Sequence, residues 1–257
     1  MCWFSATSIV MDIKQYLDST YLKTASQAGV SEEDNIVMVR NTINEAIEEE
    51  FKLVMIRPEY VSMAKEMIVK ANSLLLVGTV IDFPEGKSNL EAKIKEANEA
   101  IANGADDLDF VCNYEAFKNG EIDLVKQEIL IGTQIGLAHN KTVKWIIEVA
   151  ALTDKEIIQL SALIKNVVIS HFDEEDFASV FVKSSTGFYK TENGLPNGAT
   201  IRTTIIMLEN ASPLPVKAAG GVRSFEEAVE MIDLGVQRIG TSAAKIISNG
   251  QISPNQY

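Results

Sequence analysis

Short apolar runs rich in β-branched residues alternate along the chain with longer stretches whose apolar residues recur every three or four positions. The runs at 51–56, 74–80, 107–112, 143–149, 180–183, 215–219 and 238–240 have the length and composition of strands. Leu74-Leu75-Leu76-Val77-Gly78-Thr79-Val80 is continuous in its hydrophobicity, as a strand buried on both faces is. An earlier segment, 12–19, supplies a first strand ending at Asp18-Ser19-Thr20. Helical spacing predicts helices over 31–49, with Ser31 and Asp34 at its cap, and over 59–71, 88–103, 122–137, 154–165, 199–210, 225–234 and 243–248. Arg57-Pro58 stops the second strand and Gly104 ends the helix before the fourth. The acidic run Glu48-Glu49-Glu50 reads as a solvated face. The least regular part, 166–178, contains His171-Phe172-Asp173-Glu174-Glu175-Asp176 and reads as a surface elaboration.

Strand and helix in strict alternation, with no low-complexity linker, predict βαβ units and a parallel sheet. Eight strands with their helices close into a (β/α)8 TIM barrel, and the chain's 257 residues match the roughly 250 that such a barrel takes. The expectation is one α/β domain over 1–257, with 1–11 as a leader and 249–257 as a tail. Met11 is an alternative start to Met1.

Composition narrows the function. A net charge of −13 without a basic patch argues against nucleic acid. It also leaves an anionic substrate undrawn by the global field, so the site must supply its own donors. No apolar run approaches the ~20 residues that a membrane helix needs, and the N-terminus lacks the basic region of an export signal. Two cysteines, Cys2 and Cys112, fit a reducing cytoplasm better than a disulfide framework, with Cys112 a packed thiol. The two histidines, His139 and His171, have no ligand spacing, so no metal is expected; without a glycine-rich phosphate loop after a strand, neither is a nucleotide cofactor.

The chemistry lies where strands end in charge. Val180-Phe181-Val182 runs into Lys183, then Ser184-Ser185-Thr186-Gly187; Val216 is followed by Lys217-Ala218-Ala219-Gly220-Gly221-Val222-Arg223; Asp107-Leu108-Asp109 carries carboxylates. In such a barrel the site sits at the C-terminal strand ends. Strands six and seven, neighbours ~4.8 Å apart, bring two lysines close enough to oppose double protonation, which favours a neutral, nucleophilic amine. Taken singly, each lysine reads equally as a side chain snorkelling to solvent, and Asp109 as a structural partner. Gly220-Gly221 and Gly240-Thr241-Ser242 offer unhindered donors for a phosphate.

Together these motifs resemble the deoxyribose-phosphate aldolase family. Lys183-Ser184-Ser185-Thr186-Gly187-Phe188 followed by Gly198-Ala199-Thr200 is similar to its Schiff-base segment. Gly104-Ala105-Asp106-Asp107-Leu108-Asp109 is similar to its carboxylate segment, and 217–223 to its second-lysine segment. Asp18-Ser19-Thr20-Tyr21-Leu22-Lys23 and Val80-Ile81-Asp82-Phe83-Pro84 extend the match, which runs from about 13 to 247. The resemblance implies a class I aldolase that needs no cofactor and reversibly cleaves 2-deoxyribose 5-phosphate to glyceraldehyde 3-phosphate and acetaldehyde. It implies Lys183 as the imine-forming residue and Asp109 with Lys217 as the proton-handling pair. Asp18, Thr20, Thr186, Gly187, Gly220, Gly221, Gly240 and Ser242 are the implied substrate contacts, and the chain the subunit of a homodimer. Some members carry a lysine where Phe188 stands and a second hydroxyl where Ala243 stands, differences that weaken the expected phosphate grip. Some end in tyrosine, so Tyr257 is expected to reach the site mouth and assist proton transfer; the alternative is a frayed terminus. Two further readings stay open: a Schiff-base lyase for another aldehyde, and a silent barrel that binds sugar phosphate.

Overall fold

The computed structural model describes residues 12–251. Eight parallel strands close on themselves in chain order: β1 Leu17–Tyr21, β2 Leu53–Ile56, β3 Leu76–Ile81, β4 Asp107–Val111, β5 Thr142–Ile146, β6 Val180–Lys183, β7 Val216–Ala219 and β8 Arg238–Thr241. Around them run α1 Ala25–Ala28, α2 Glu32–Glu48, α3 Val61–Lys70, α4 Leu90–Ala102, α5 Tyr114–Lys118, α6 Ile122–Ala138, α7 Asp154–His171, α8 Ile201–Ala211, α9 Phe225–Asp233 and α10 Ala244–Ser248. The closed parallel barrel with interleaved helices is the expected TIM architecture. Among the described residues no helix is long and apolar enough to cross a membrane.

Local chemistry sets the helix starts. The Ser31 hydroxyl accepts from the Asp34 amide, and Thr153 with Glu156 and Ser224 with Glu227 form reciprocal capping boxes at α7 and α9. Two expectations are corrected. The segment before β1 is a 3-10 turn, Ile13–Tyr16, capped by the Asp12 carboxylate, so the strand begins only at Leu17. The supposed elaboration after 165 is regular: α7 continues to His171, and Glu174–Ser179 forms a 3-10 turn. The apolar period persists through Ile164, Val167 and Val168, all buried, while the polar Asn166 that interrupts it lies on the exposed side. α5, capped by Asn113, was not expected.

Strand alternation sorts side chains between two cores. Outward residues such as Leu108, Phe110 and Trp145 pack under the helices, the last two rings stacked at 4.9 Å. The barrel interior is divided. Leu53, Met55 and Val80 with Leu22 form an apolar side on strands β2 and β3. Gly78 gives that side its room, since a Cβ there would lie 2.5 Å from Met55 Cε. The strands from β4 round to β1 fill their share of the interior with charge.

Candidate active site

Asp109 is the hub of that charged half. Lys183 Nζ and Lys217 Nζ both donate to its Oδ2, at 2.8 and 3.0 Å, and Lys144 Nζ donates to its Oδ1 at 2.8 Å. Register explains the convergence: Lys183 and Lys217 are directly opposite on β6 and β7, and Lys144 lies opposite Asp109 on β5. Lys144 also reaches Asp107 (2.6 Å), Lys217 reaches Asp18 (2.6 Å), and Arg238 Nε donates to Asp18 Oδ1 at 2.8 Å. Arg238 stands 3.4 Å from Asp107 and so ties the ring together. Every member is buried.

Three carboxylates (Asp18, Asp107, Asp109) thus face four cations (Lys144, Lys183, Lys217, Arg238). Buried charge without balance is costly, so one cation is in excess. Lys183 is the group that yields. Burial, aided by Lys217 and Lys144, lowers its pKa to about 8 against the pull of Asp109. Burial pushes Asp109 up, but Lys144, Lys183 and Lys217 outweigh it and hold the carboxyl well below the usual range. Lys144 goes the other way from Lys183: burial opposes its charge, and Asp107 and Asp109 raise its pKa.

Lys183 also borders the cavity at the strand ends. It lines this cavity together with Thr20, Thr186, Gly187, Gly220, Gly221, Gly240 and Ser242. Lys217 and Asp109 stand behind it, outside the cavity wall. Seven of the eight implied substrate contacts therefore border one space, and Asp18 lies off its wall. Its carboxylate is buried against Lys217 and Arg238 and forms no part of the wall, because β1 turns it into the charged ring. Tyr257 lies outside the described residues.

The glycines and serines of the motifs brace this mouth. Gly220 and Gly221 take left-handed backbone (φ 73° and 92°), and a Cβ on Gly198 would sit 2.4 Å from the Gly220 carbonyl carbon. That close approach lets the Ala199 amide bond the Ala219 and Gly220 carbonyls (3.1 and 2.9 Å). Ser184 Oγ donates to the Ala219 carbonyl and accepts from the Ala219 amide, both at 2.9 Å, which laces β6 to β7. Thr241, beside the glycine motif, donates to the Val222 carbonyl (3.2 Å) and so joins the loops after β7 and β8. On the apolar side Phe188 meets Phe83 edge-on at 5.0 Å.

Sequence reasoning passed over Lys144, Arg238 and Glu148. Lys144 had a signal, a lysine inside the apolar Val143–Ile147 run, and Glu148 a carboxylate at its end. The pairing of Arg238 with Asp18, 220 residues apart, had none.

Comparison with known proteins agrees in extent with this geometry. The model of the DeoC/LacD family aldolases matches residues 14–252. Deoxyribose-phosphate aldolase of Thermococcus gammatolerans is 36% identical over 241 residues, spanning 93% of this chain and 96% of its own. That of Staphylococcus carnosus is 38% identical over 248 residues, 96% of this chain and all of its own. Among solved structures, the tetrameric deoxyribose phosphate aldolase of Aeropyrum pernix superposes with a TM-score of 0.74 at 28% identity, covering 92% of this chain and 89% of that one.

Proposed function

Because the chain belongs to the DeoC/LacD family of aldolases, we infer that it is a carbon–carbon lyase that reversibly cleaves 2-deoxyribose 5-phosphate through a lysine imine. The observation that carries the residue assignment is the sharing of Asp109 Oδ2 by Lys183 and Lys217, with Lys183 alone of the three on the cavity wall. An amine with a pKa of about 8 is roughly one-tenth neutral at pH 7, hundreds of times more than an ordinary lysine.

Lys183 attacks C1 of the open-chain sugar and forms a carbinolamine, which loses water to an iminium. The Asp109–Lys217 pair takes the proton of the C3 hydroxyl. The C2–C3 bond breaks, its electrons entering the enamine, and C3 leaves as the aldehyde of glyceraldehyde 3-phosphate. Protonation of the enamine carbon regenerates an iminium, and water frees acetaldehyde and Lys183. Gly220, Gly221, Gly240 and Ser242 receive the phosphate, and Thr20, Thr186 and Gly187 the sugar hydroxyls. Asp18 acts through Lys217. Tyr257 assists proton transfer at the enamine carbon, a role supported by the family resemblance of the tail. The reaction requires no cofactor, and it fits a cytoplasmic enzyme of deoxyribonucleotide breakdown. The subunits associate, with a homodimer as the unit; the Aeropyrum relative's tetramer and the exposed Ile36, Val37 and Met38 of α2 support association.

Borohydride added with acetaldehyde should fix one ethyl group on Lys183, detectable by peptide mass. Trapping undiminished in Lys183→Ala would overturn the assignment. Tyr257→Phe should slow exchange of the acetaldehyde methyl protons with deuterated water while trapping survives; unchanged exchange removes Tyr257 from the mechanism.

A further inference from the structure

One buried carboxylate beside the cavity has no part in this chemistry. Glu148 follows β5 by two residues, is 1% exposed, and holds a left-handed backbone (φ 56°, ψ 69°). A residue other than glycine enters that region under strain, and stays there only where its surroundings over-determine it. Here they do. The Ile147 amide donates to the Lys183 carbonyl (3.0 Å) and the Val149 amide to the Ser184 carbonyl (2.9 Å), so both neighbours are tied to the lysine segment. The side chain between them is aimed at Thr186. Its Oε2 accepts from the Thr186 amide at 3.1 Å and from the Thr186 hydroxyl, while Oε1 is buried without a hydrogen-bond partner.

The consequence lies in the bookkeeping of one hydroxyl. Thr186 Oγ1 has a single proton and two lone pairs. The proton is committed to Glu148, and one lone pair accepts the Phe188 amide at 3.0 Å. What remains is a lone pair on a residue of the cavity wall. Protonation of Glu148 leaves this unchanged. Burial, opposed by the Thr186 bonds and Lys183, pushes its carboxyl up to about 7, and in the neutral form the partnerless Oε1 takes the proton while Oε2 still accepts.

We propose that Glu148 is a positioning residue for substrate selection: by holding the Thr186 proton it makes that hydroxyl a pure acceptor towards the cavity, and the site thereby selects aldehydes with a hydroxyl next to the carbonyl. The inference rests on the aldolase reading and deepens it. A carbonyl or phosphate oxygen, itself an acceptor, gains nothing at Thr186. An aldehyde with a methylene in place of the carbinol leaves the lone pair unmet.

The test is run in the synthetic direction with acetaldehyde as donor, comparing kcat/KM for glyceraldehyde 3-phosphate with that for 3-oxopropyl phosphate, which lacks the hydroxyl. The wild-type enzyme should prefer the first by about tenfold or more, the scale of one hydrogen bond with its unmet-acceptor penalty. Glu148→Asn installs a residue that tolerates left-handed backbone but is one methylene too short for Thr186. The preference should fall to about twofold, with the melting temperature held. Thr186→Val, which only exchanges a hydroxyl for a methyl, should do the same, Thr186→Ser should keep the preference, and the double variant with Glu148→Asn and Thr186→Val should fall no further than either single one. Equal losses for both aldehydes, or losses that multiply in the double variant, would overturn the proposal. A wild-type enzyme that is trapped by borohydride yet prefers neither aldehyde sinks this inference alone, whereas failure of trapping sinks the aldolase reading beneath it.

Discussion

Lys183 and its neighbours differ in how the fold receives their charge. Lys144 and Arg238 are held more firmly protonated than usual because carboxylates outweigh their burial, whereas Lys183 is shifted down to about 8. A lysine whose folded pKa lies below its unfolded value destabilises the fold below about pH 8, where it must be charged. That cost disappears as pH rises from 8 towards 10.5, since the unfolded chain then holds the proton that the folded one has lost. Lys183→Met should therefore stabilise the protein at pH 7, by about 1–3 kcal/mol, because Asp109 keeps Lys144 and Lys217 as partners. Thermal melts at pH 7 and 10 check this, and a variant that melts lower at pH 7 refutes the charge-balance argument. The same shift sets activity: imine trapping should rise through about pH 8, and Lys217→Leu, by removing a nearby cation, should move that inflection upward. At this scale the sequence was partly legible. Lys183 and Lys217 stood after apolar residues and before small ones, and Asp109 stood in an apolar run that carries carboxylates, but the balance that lowers one lysine also involves Lys144, Asp18 and Arg238, which meet only when the barrel closes.

The elements position the mouth through backbone contacts that leave little slack. The loop after β6 crosses the end of β7 at Gly198 and Gly220, where no Cβ fits between the chains. Gly198→Ala would push its methyl against backbone rather than a yielding side chain, so the two loops must part. The expected result is a KM for the phosphorylated sugar raised about tenfold or more, since a shift of about 1 Å at a site that positions substrate is enough for such losses. Imine trapping with acetaldehyde, which has no phosphate to seat, should change less; an unchanged KM would mean that this crossing does not shape the phosphate seat. Strand and helix order was legible because apolar continuity and caps are local signals, and β6 (Val180–Lys183) was placed to the residue. Strand starts were less so: 51–56 contains only β2, Leu53–Ile56, because Phe51 and Lys52 carry the same apolar and β-compatible signal outside the ladder. α7 was cut short because Asn166 broke the pattern on the face that matters least.

At the scale of the whole molecule, the interior is half apolar and half ionic, and the ionic half also closes the barrel. β1 and β8 pair through Leu17 with Ile239, Asp18 with Gly240 and Ser19 with Thr241. Across that seam Arg238 binds Asp18, joining residues 220 positions apart. Such a contact forms only after the intervening chain is ordered, since loop-closure entropy opposes it until then. The raised pKa of Arg238 means that its charge is welcome there, the reverse of Lys183. Arg238→Met should therefore destabilise, by about 3 kcal/mol, as when one partner is stripped from a buried pair, although it too removes one cation from the ring. The loss should be local at first. In native-state hydrogen exchange the amides of Leu17–Tyr21 and Arg238–Thr241 should open well before those of Asp107–Val111 and Thr142–Ile146, whose ladder with Lys144, Asp107 and Asp109 stays intact. Lys183→Met in the same experiment should leave the seam as protected as in the wild type. If instead the Arg238 variant loses protection evenly round the barrel, the ion pair contributes to global stability alone and the seam has no weakness of its own.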